Sequence, residues 1–215
     1  LVEAIPPVTV LSAADHARGL GGEVGLLGSA GRPALGVEIA VVDEEARPVP
    51  IGAVGEVTTR GDHVMAGYWH AVDRADLAKS VRDGWLHTGD LGRLDADGRL
   101  WLVDRKGDMI ISGGYNIYPR EVEDVVAEVP GVREVAVLGL PDGDWGQRVV
   151  AVYTTAGGSS VDENVIMAHC RSRLASYKNP KELHRVDAFP LNGTGKIAKQ
   201  ALRAELDQKS GSNTT

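Results

Sequence analysis

Residues 104–123 read Asp-Arg-Lys-Gly-Asp-Met-Ile-Ile-Ser-Gly-Gly-Tyr-Asn-Ile-Tyr-Pro-Arg-Glu-Val-Glu, and the reading of the fold turns on this stretch. Its first five residues, Asp104 to Asp108, are charged or glycine and mark a change of character along the chain. Met109-Ile110-Ile111 then reads as a buried strand running into Gly113-Gly114, a pair that lets a ligand approach the backbone closely. From Pro119 onward, Val122, Val125, Val126 and Val129 recur at helical spacing on one face, and Pro119 suits a first turn, where a missing N–H costs nothing. Pro130-Gly131 ends the helix.

Upstream of this stretch the chain reads mostly as strands and turns. Val37, Ile39 and Val41 alternate with Glu38 and Ala40, the pattern of a half-buried strand ending at Asp43. Val54 to Thr59 offers a second strand, and residues 91–94 and 99–103 are two more, joined through Asp97-Gly98, whose glycine supplies the positive φ of a hairpin turn. One helix is expected around 72–80. Downstream, 133–139 and 147–153 read as strands. Ser160 and Glu163 form a capping box for a helix carrying Ile166, Cys170 and Leu174. A short strand near Val186 precedes the loop PLNGTGK, a final helix runs from about Lys199 to Leu206, and the terminal KSGSNTT is expected to be disordered. Two units follow: a small antiparallel sheet assembly, then an α+β domain of helices against a small sheet.

Composition narrows the function classes. The 215 residues are 43% hydrophobic and 25% charged, as in a soluble globular protein. A net charge of −7 argues against non-specific nucleic-acid binding, which relies on clustered Lys and Arg. It leaves room for one phosphorylated small molecule. The lone Cys170 cannot form an intrachain disulfide, which fits a reducing compartment, and it reads as a small core residue. No apolar run reaches the length of a membrane span, the N-terminus lacks signal-peptide features, and a chain opening on Leu1 suggests a piece of something longer.

Three loops could carry chemistry. Asn192-Gly193-Thr194-Gly195-Lys196 places a mobile cation on a glycine loop. It is not a phosphate loop of the Walker type, because Pro190 stands where the leading glycine belongs and Ile197 where a metal-binding hydroxyl belongs. On its own it is weak evidence and reads more readily as an exposed lysine on a turn. In Gly84-Trp85-Leu86-His87-Thr88-Gly89-Asp90, a carboxylate just after a Thr-Gly turn can accept two hydrogen bonds from a ribose diol, or simply cap the turn. His87 reads as a surface or packing residue with no metal-ligand set. Residues 104–116 can be a linker, strand and turn, or a ligand-facing segment.

Taken together and in order, GEVTTRGDHVMAGYW (55–69), GWLHTGDLG (84–92), the 104–123 stretch, LPDGDWGQ (140–147), YKNP (177–180) and NGTGK (192–196) resemble the adenylate-forming acyl-CoA synthetases. The resemblance covers all but the last few residues. It implies that residues 1–104 form the β-barrel-like end of a large AMP-binding domain and that 105–108 form a hinge. Residues 109–207 would form a mobile α+β C-terminal domain, followed by a tail at 208–215. The whole is then α+β, and such enzymes join a carboxylate to AMP and pass the acyl group to CoA.

By the same resemblance, Asp90 binds the ribose hydroxyls, Arg105 reaches the nucleotide, and Lys196 bridges the attacking carboxylate and the α-phosphate. Gly107 takes the hinge position, where the family usually has Asp or Lys. Ser112, Gly113, Gly114 and Tyr115 line the pantetheine channel. Glu3 matches the Mg2+-binding Glu of the family's Tyr-Gly-x-Thr-Glu motif, though Val2 replaces its Thr. ATP, Mg2+, CoA and a fatty or aryl acid are the implied small molecules, and the cytoplasm the implied compartment. Two alternatives stand beside the CoA ligase: an enzyme loading a carrier-protein phosphopantetheine, and a non-catalytic fragment or interaction module. Because the phosphate loop and acyl pocket of the family lie upstream of Leu1, this chain alone is expected to be inactive.

Overall fold

Ser12 caps the first helix, α1 (Ala13–Leu20), its hydroxyl accepting from the Asp15 amide at 3.0 Å. Beside it run β1 (Thr9–Val10) and β2 (Arg32–Pro33), paired antiparallel. The structure, a computed structural model, describes residues 3–67, 80–157 and 160–211. It divides into two compact units, Leu1–Gly107 and Asp108–Thr215. Apart from Ser80, the helix expected over 72–80 lies outside the described residues.

The sheet of the first unit is built from β3 (Glu38–Val42), β4 (Gly55–Arg60), β5 (Val81–Arg82), β6 (Trp85–Leu94) and β7 (Leu100–Arg105). The long strand β6 pairs with β4 along one edge and with both β5 and β7 along the other, all antiparallel. Among the described residues it remains an open sheet and does not close into a barrel. Its apolar cluster is small, centred on Val41, Val57 and Leu100. Much of the remaining interior is polar and satisfied. The buried Thr58 and Thr59 donate to the carbonyls of Ala40 (3.1 Å) and Glu38 (3.0 Å). Asp15 joins Arg32 at 2.7 Å and the buried Arg99 at 3.0 Å.

One local expectation is corrected here. Thr88-Gly89-Asp90 is not a turn but a bulge inside β6. Thr58 faces His87 and Glu56 faces Leu91, so three residues of β6 oppose one of β4. Gly89 takes φ 71°, and Thr88 Oγ1 donates to the Val57 carbonyl at 2.7 Å, which holds the extra residues in place.

The second unit begins with a hairpin, β8 (Ile110–Ser112) and β9 (Tyr115–Ile117), reversed by Gly113 and Gly114 at φ 57° and 82°. Positive φ at both central positions is what a two-residue hairpin turn demands. Then come α2 (Pro119–Ala127), with proline in its first turn, and the hairpin β10 (Val132–Asp142) and β11 (Gly146–Thr155). The unit continues with α3 (Glu163–Arg173), β12 (Glu182–Arg185) and α4 (Lys199–Gly211). Sheet order is β10-β11-β12, antiparallel in the first pair and parallel in the second.

Alternate side chains of the hairpin feed two cores. Val137, Val149, Ala151 and Tyr153 pack with Val122 and Val126 of α2 and with Ile166 and Cys170 of α3. Ala136, Leu138, Leu140, Val150 and Val152 pack with Phe189 and with Leu202 and Leu206 of α4. Burial on both faces is why these strands read as nearly unbroken apolar runs. Cys170 is fully buried, as expected, and burial pushes its thiol pKa up.

Two boundaries differ from expectation. α3 is capped by Asp162, whose carboxylate accepts from Asn164 N at 2.9 Å, and Ser160 lies outside the helix. The carboxylate both satisfies an orphan amide and complements the helix dipole. α4 continues to Gly211, past the start of the expected tail.

Candidate functional site

In the first unit the register of β6 and β7 sets Asp90 directly opposite Arg105, and Arg105 Nε lies 2.8 Å from Asp90 Oδ1. Asp90 follows the Gly89 bulge, and its amide donates to Thr88 Oγ1 at 3.1 Å. The bulge therefore aims the carboxylate, and the neighbouring strand supplies a guanidinium beside it. An anionic acceptor paired with a forked cation suits a hydroxylated, phosphorylated ligand.

Just behind Asp90 lies a cluster that the sequence reading missed. The buried Glu56 accepts from Gly89 N at 3.2 Å through Oε1 and from Lys106 Nζ at 3.0 Å through Oε2, and His87 Nδ1 lies 3.2 Å from the same Oε2. Desolvation works to raise the Glu56 pKa, but the Lys106 ammonium and His87 outweigh it and hold the carboxyl below its usual value. His87 is thus a packed residue facing a carboxylate, not a surface one. The available signal was a Glu immediately before the β-branched run Val57-Thr58-Thr59, within one strand, since Glu is rarely buried unpaired.

Gly107 is the last residue of the first unit. Glu3, at the other end of that unit, accepts from Met65 N at 2.9 Å through its backbone carbonyl. Among the described residues no group of three or more His, Cys, Asp or Glu could hold a metal ion. Glu3 alone does not make a Mg2+ site, which needs several oxygen ligands.

In the second unit Lys196 sits on a loop built by Asn192. The Asn192 Oδ1 accepts from Thr194 N (3.0 Å), Thr194 Oγ1 (2.8 Å) and Lys196 N (3.0 Å), and Asn192 N donates to the Lys196 carbonyl at 2.8 Å. Gly195 turns the chain at φ 78°. The lysine side chain is exposed, with no ion-pair partner among the described residues. A fixed backbone carrying an exposed ammonium suits a cation that neutralises an incoming anion.

At the β8–β9 hairpin, Ser112 is buried, Gly113 N donates to Trp145 O at 2.9 Å, and the exposed Tyr115 stacks on Tyr177 with ring centroids 4.6 Å apart. Structure thus brings Asp90 and Arg105 together, and sets Ser112 to Tyr115 along one short hairpin.

Comparison with known proteins supplies the context. Residues 3–69 match the family described as AMP-binding enzyme, and residues 121–196 match AMP-binding enzyme C-terminal domain. The chain is 42% identical over 216 residues to the medium/long-chain-fatty-acid–CoA ligase FadD8 of Mycobacterium tuberculosis, covering 97% of this chain and 36% of that protein. It is 42% identical over 203 residues to a feruloyl-CoA synthase of an Amycolatopsis species, covering 94% of this chain and 40% of the relative.

Among solved structures, o-succinylbenzoate-CoA synthetase (MenE) of Bacillus subtilis in complex with the acyl-adenylate intermediate OSB-AMP superposes with a TM-score of 0.80. The identity is 34%, over 96% of this chain and 39% of that one. The same enzyme in complex with ATP and magnesium ion gives a TM-score of 0.79 at 34% identity, over 96% of this chain and 40% of that one. The chain therefore spans well under half the length of the proteins it matches. Among the described residues no helix is long and apolar enough to cross a membrane.

Proposed function

Because the chain belongs to the AMP-binding enzyme family, we propose that it forms part of a carboxylate–CoA ligase that uses ATP to activate a fatty or aryl acid. The observation that carries this reading is the Asp90–Arg105 pair, directly opposed across β6 and β7 and held by the bulge behind it. In the first half-reaction a carboxylate oxygen attacks the α-phosphorus of ATP. An acyl–O–P bond forms, and the P–O bond to pyrophosphate breaks. Asp90 accepts from the ribose diol and Arg105 reaches the ribose and phosphate. Lys196 lies between the two anions, offsetting their repulsion and the charge developing at phosphorus.

In the second half-reaction the thiol of CoA attacks the acyl carbon. The C–S bond forms, AMP leaves with the C–O electron pair, and the thiol proton is lost. Ser112 to Tyr115 line the approach of the pantetheine arm, and Gly107 is the hinge between the two steps, where glycine's backbone freedom suits a pivot. Mg2+ accompanies ATP, with Glu3 contributing at most one of its ligands. The cytoplasm, where ATP and CoA are found, is the proposed compartment.

The test is a chimera. The matching third of the M. tuberculosis fatty-acid–CoA ligase is replaced by this chain, and ATP-dependent thioester formation is measured with free CoA and with a carrier-protein phosphopantetheine. Thioester with free CoA supports the reading. Thioester only on the carrier protein moves the acceptor assignment, and a folded chimera without adenylation by pyrophosphate exchange refutes it. The unfused chain is expected to show no exchange.

A further inference from the structure

Glu56, Gly89 and Lys106 close a ring within the first unit. The Gly89 N–H donates to Glu56 Oε1 at 3.2 Å, the Gly89 carbonyl accepts from Lys106 N at 2.8 Å, and Lys106 Nζ returns to Glu56 Oε2 at 3.0 Å. Glu56 comes from β4, Gly89 from the bulge of β6, and Lys106 from the residue after β7. Three strands therefore meet on one buried carboxylate. On one side of the ring stands Asp90, and on the other Gly107, the last residue of its unit. Lys106 is the only link in the ring with substantial exposure, 46% of its side chain, whereas Glu56 keeps 10%.

We propose that Glu56 is a positioning residue that ties Lys106 to the Gly89 bulge. It thereby fixes the first mobile residue at Gly107 and orients Asp90 from behind. The assignment of Asp90 and Gly107 rests on the ligase reading; the tie itself does not. Without the carboxylate, two things are lost together. Lys106 frays from the sheet, so that the hinge lengthens toward Arg105, and the Gly89 N–H loses its acceptor, so that the bulge relaxes. His87, packed against the same carboxylate, then faces an uncharged group. Arg105, opposite Asp90, keeps its own partner, so the change is confined to the ring.

Limited trypsin digestion of the 215-residue chain tests this, because trypsin must extract the Lys106 side chain to cut before Gly107. Glu56→Gln keeps the shape and removes the charge. Its cleavage after Lys106 is expected to rise about tenfold, as loss of one charge-assisted contact implies, while cleavage after Arg47 and Arg93 in the same digest stays unchanged. Lys106→Arg, which keeps the pair, is expected to remain protected at the wild-type level. An unchanged rate after Lys106 in Glu56→Gln overturns the proposal.

Should Glu56→Gln speed every site of the first unit, indicating loss of fold, Lys106→Ala decides. Exchange of the amide at position 106 then accelerates about tenfold if the ring holds it, and an unchanged rate overturns the proposal. AMP titration of the chimera, which supplies the rest of the nucleotide site, separates the two readings. Weaker AMP binding by Glu56→Gln than by the wild type supports the orienting role. Wild-type binding that is absent or indifferent to Asp90→Asn counts against the ligase reading, with the protease result standing on its own.

Discussion

Asn192 gathers three hydrogen bonds on one carboxamide oxygen, and Lys196 inherits its position from them. On the proposed ligase reading, such a lysine contributes through charge placed where charge develops. In the chimera, Lys196→Ala is expected to slow pyrophosphate exchange by about 10^2–10^3, by analogy with removal of one oxyanion donor, while leaving the melting temperature unchanged. The NGTGK loop was legible because all its partners lie within five residues. Glu56 was not, because its partners Gly89 and Lys106 lie 33 and 50 residues away and only the bulged register brings them in. Asp15 gives the residue scale a pH dependence. The Ser12 hydroxyl, with Arg99 and Arg32, outweighs desolvation and holds its carboxyl at about 2. A carboxyl depressed in the folded state stabilises above its unfolded pKa of about 3.9, and that contribution is lost as pH falls through about 2. Asp15→Asn is therefore expected to narrow the difference in chemical-denaturation midpoint between pH 5 and pH 2.

Among the elements, the two hairpins of the second unit show what periodicity can and cannot deliver. The runs 133–139 and 147–153 were recognisable as strands because both faces are buried, and for the same reason their helices could not be assigned to faces from the strand pattern alone. Ile166 of α3 is fully buried in the shared core. Ile166→Ala is expected to lower unfolding free energy by about 2–5 kcal/mol in a denaturant titration. The β8–β9 turn stood open beside a ligand-facing reading, since a Gly pair after a strand serves a ligand loop as well as a turn. Gly113 takes φ 57°, and a Cβ there would meet the Trp145 ring at 2.5 Å. Gly113→Ala is thus expected to cost about 1–3 kcal/mol through strain and overpacking, read as a lower melting temperature.

At the scale of the molecule, the change of character seen at Asp104–Asp108 coincides with the division at Gly107 and Asp108. The two units differ in what holds them. The first relies on a small apolar cluster and a buried Asp15–Arg99 pair, and the second on two apolar cores against one sheet. Separate cores of such different make-up predict two transitions, the first unit melting at the lower temperature, and calorimetry with Trp145 fluorescence as reporter for the second unit checks this. The order of units was readable from turn chemistry and strand spacing. The openness of the first sheet was not, because closure depends on long-range pairing that spacing does not encode.

The parallel pairing of β11 with β12 also sets an order of events. β10 and β11 meet across a three-residue connection and zip locally, whereas β12 must close a loop through α3 before it docks on β11. Non-local parallel contacts form late. The Asn192 loop follows β12 directly in the chain, so Lys196 is carried into place by the last strand to arrive. A folding intermediate with the hairpin formed and β12 undocked would leave uncovered the face on which Phe189, Leu202 and Leu206 pack and would lack Lys196 in its final place, so in the chimera pyrophosphate exchange should lag behind fluorescence during refolding.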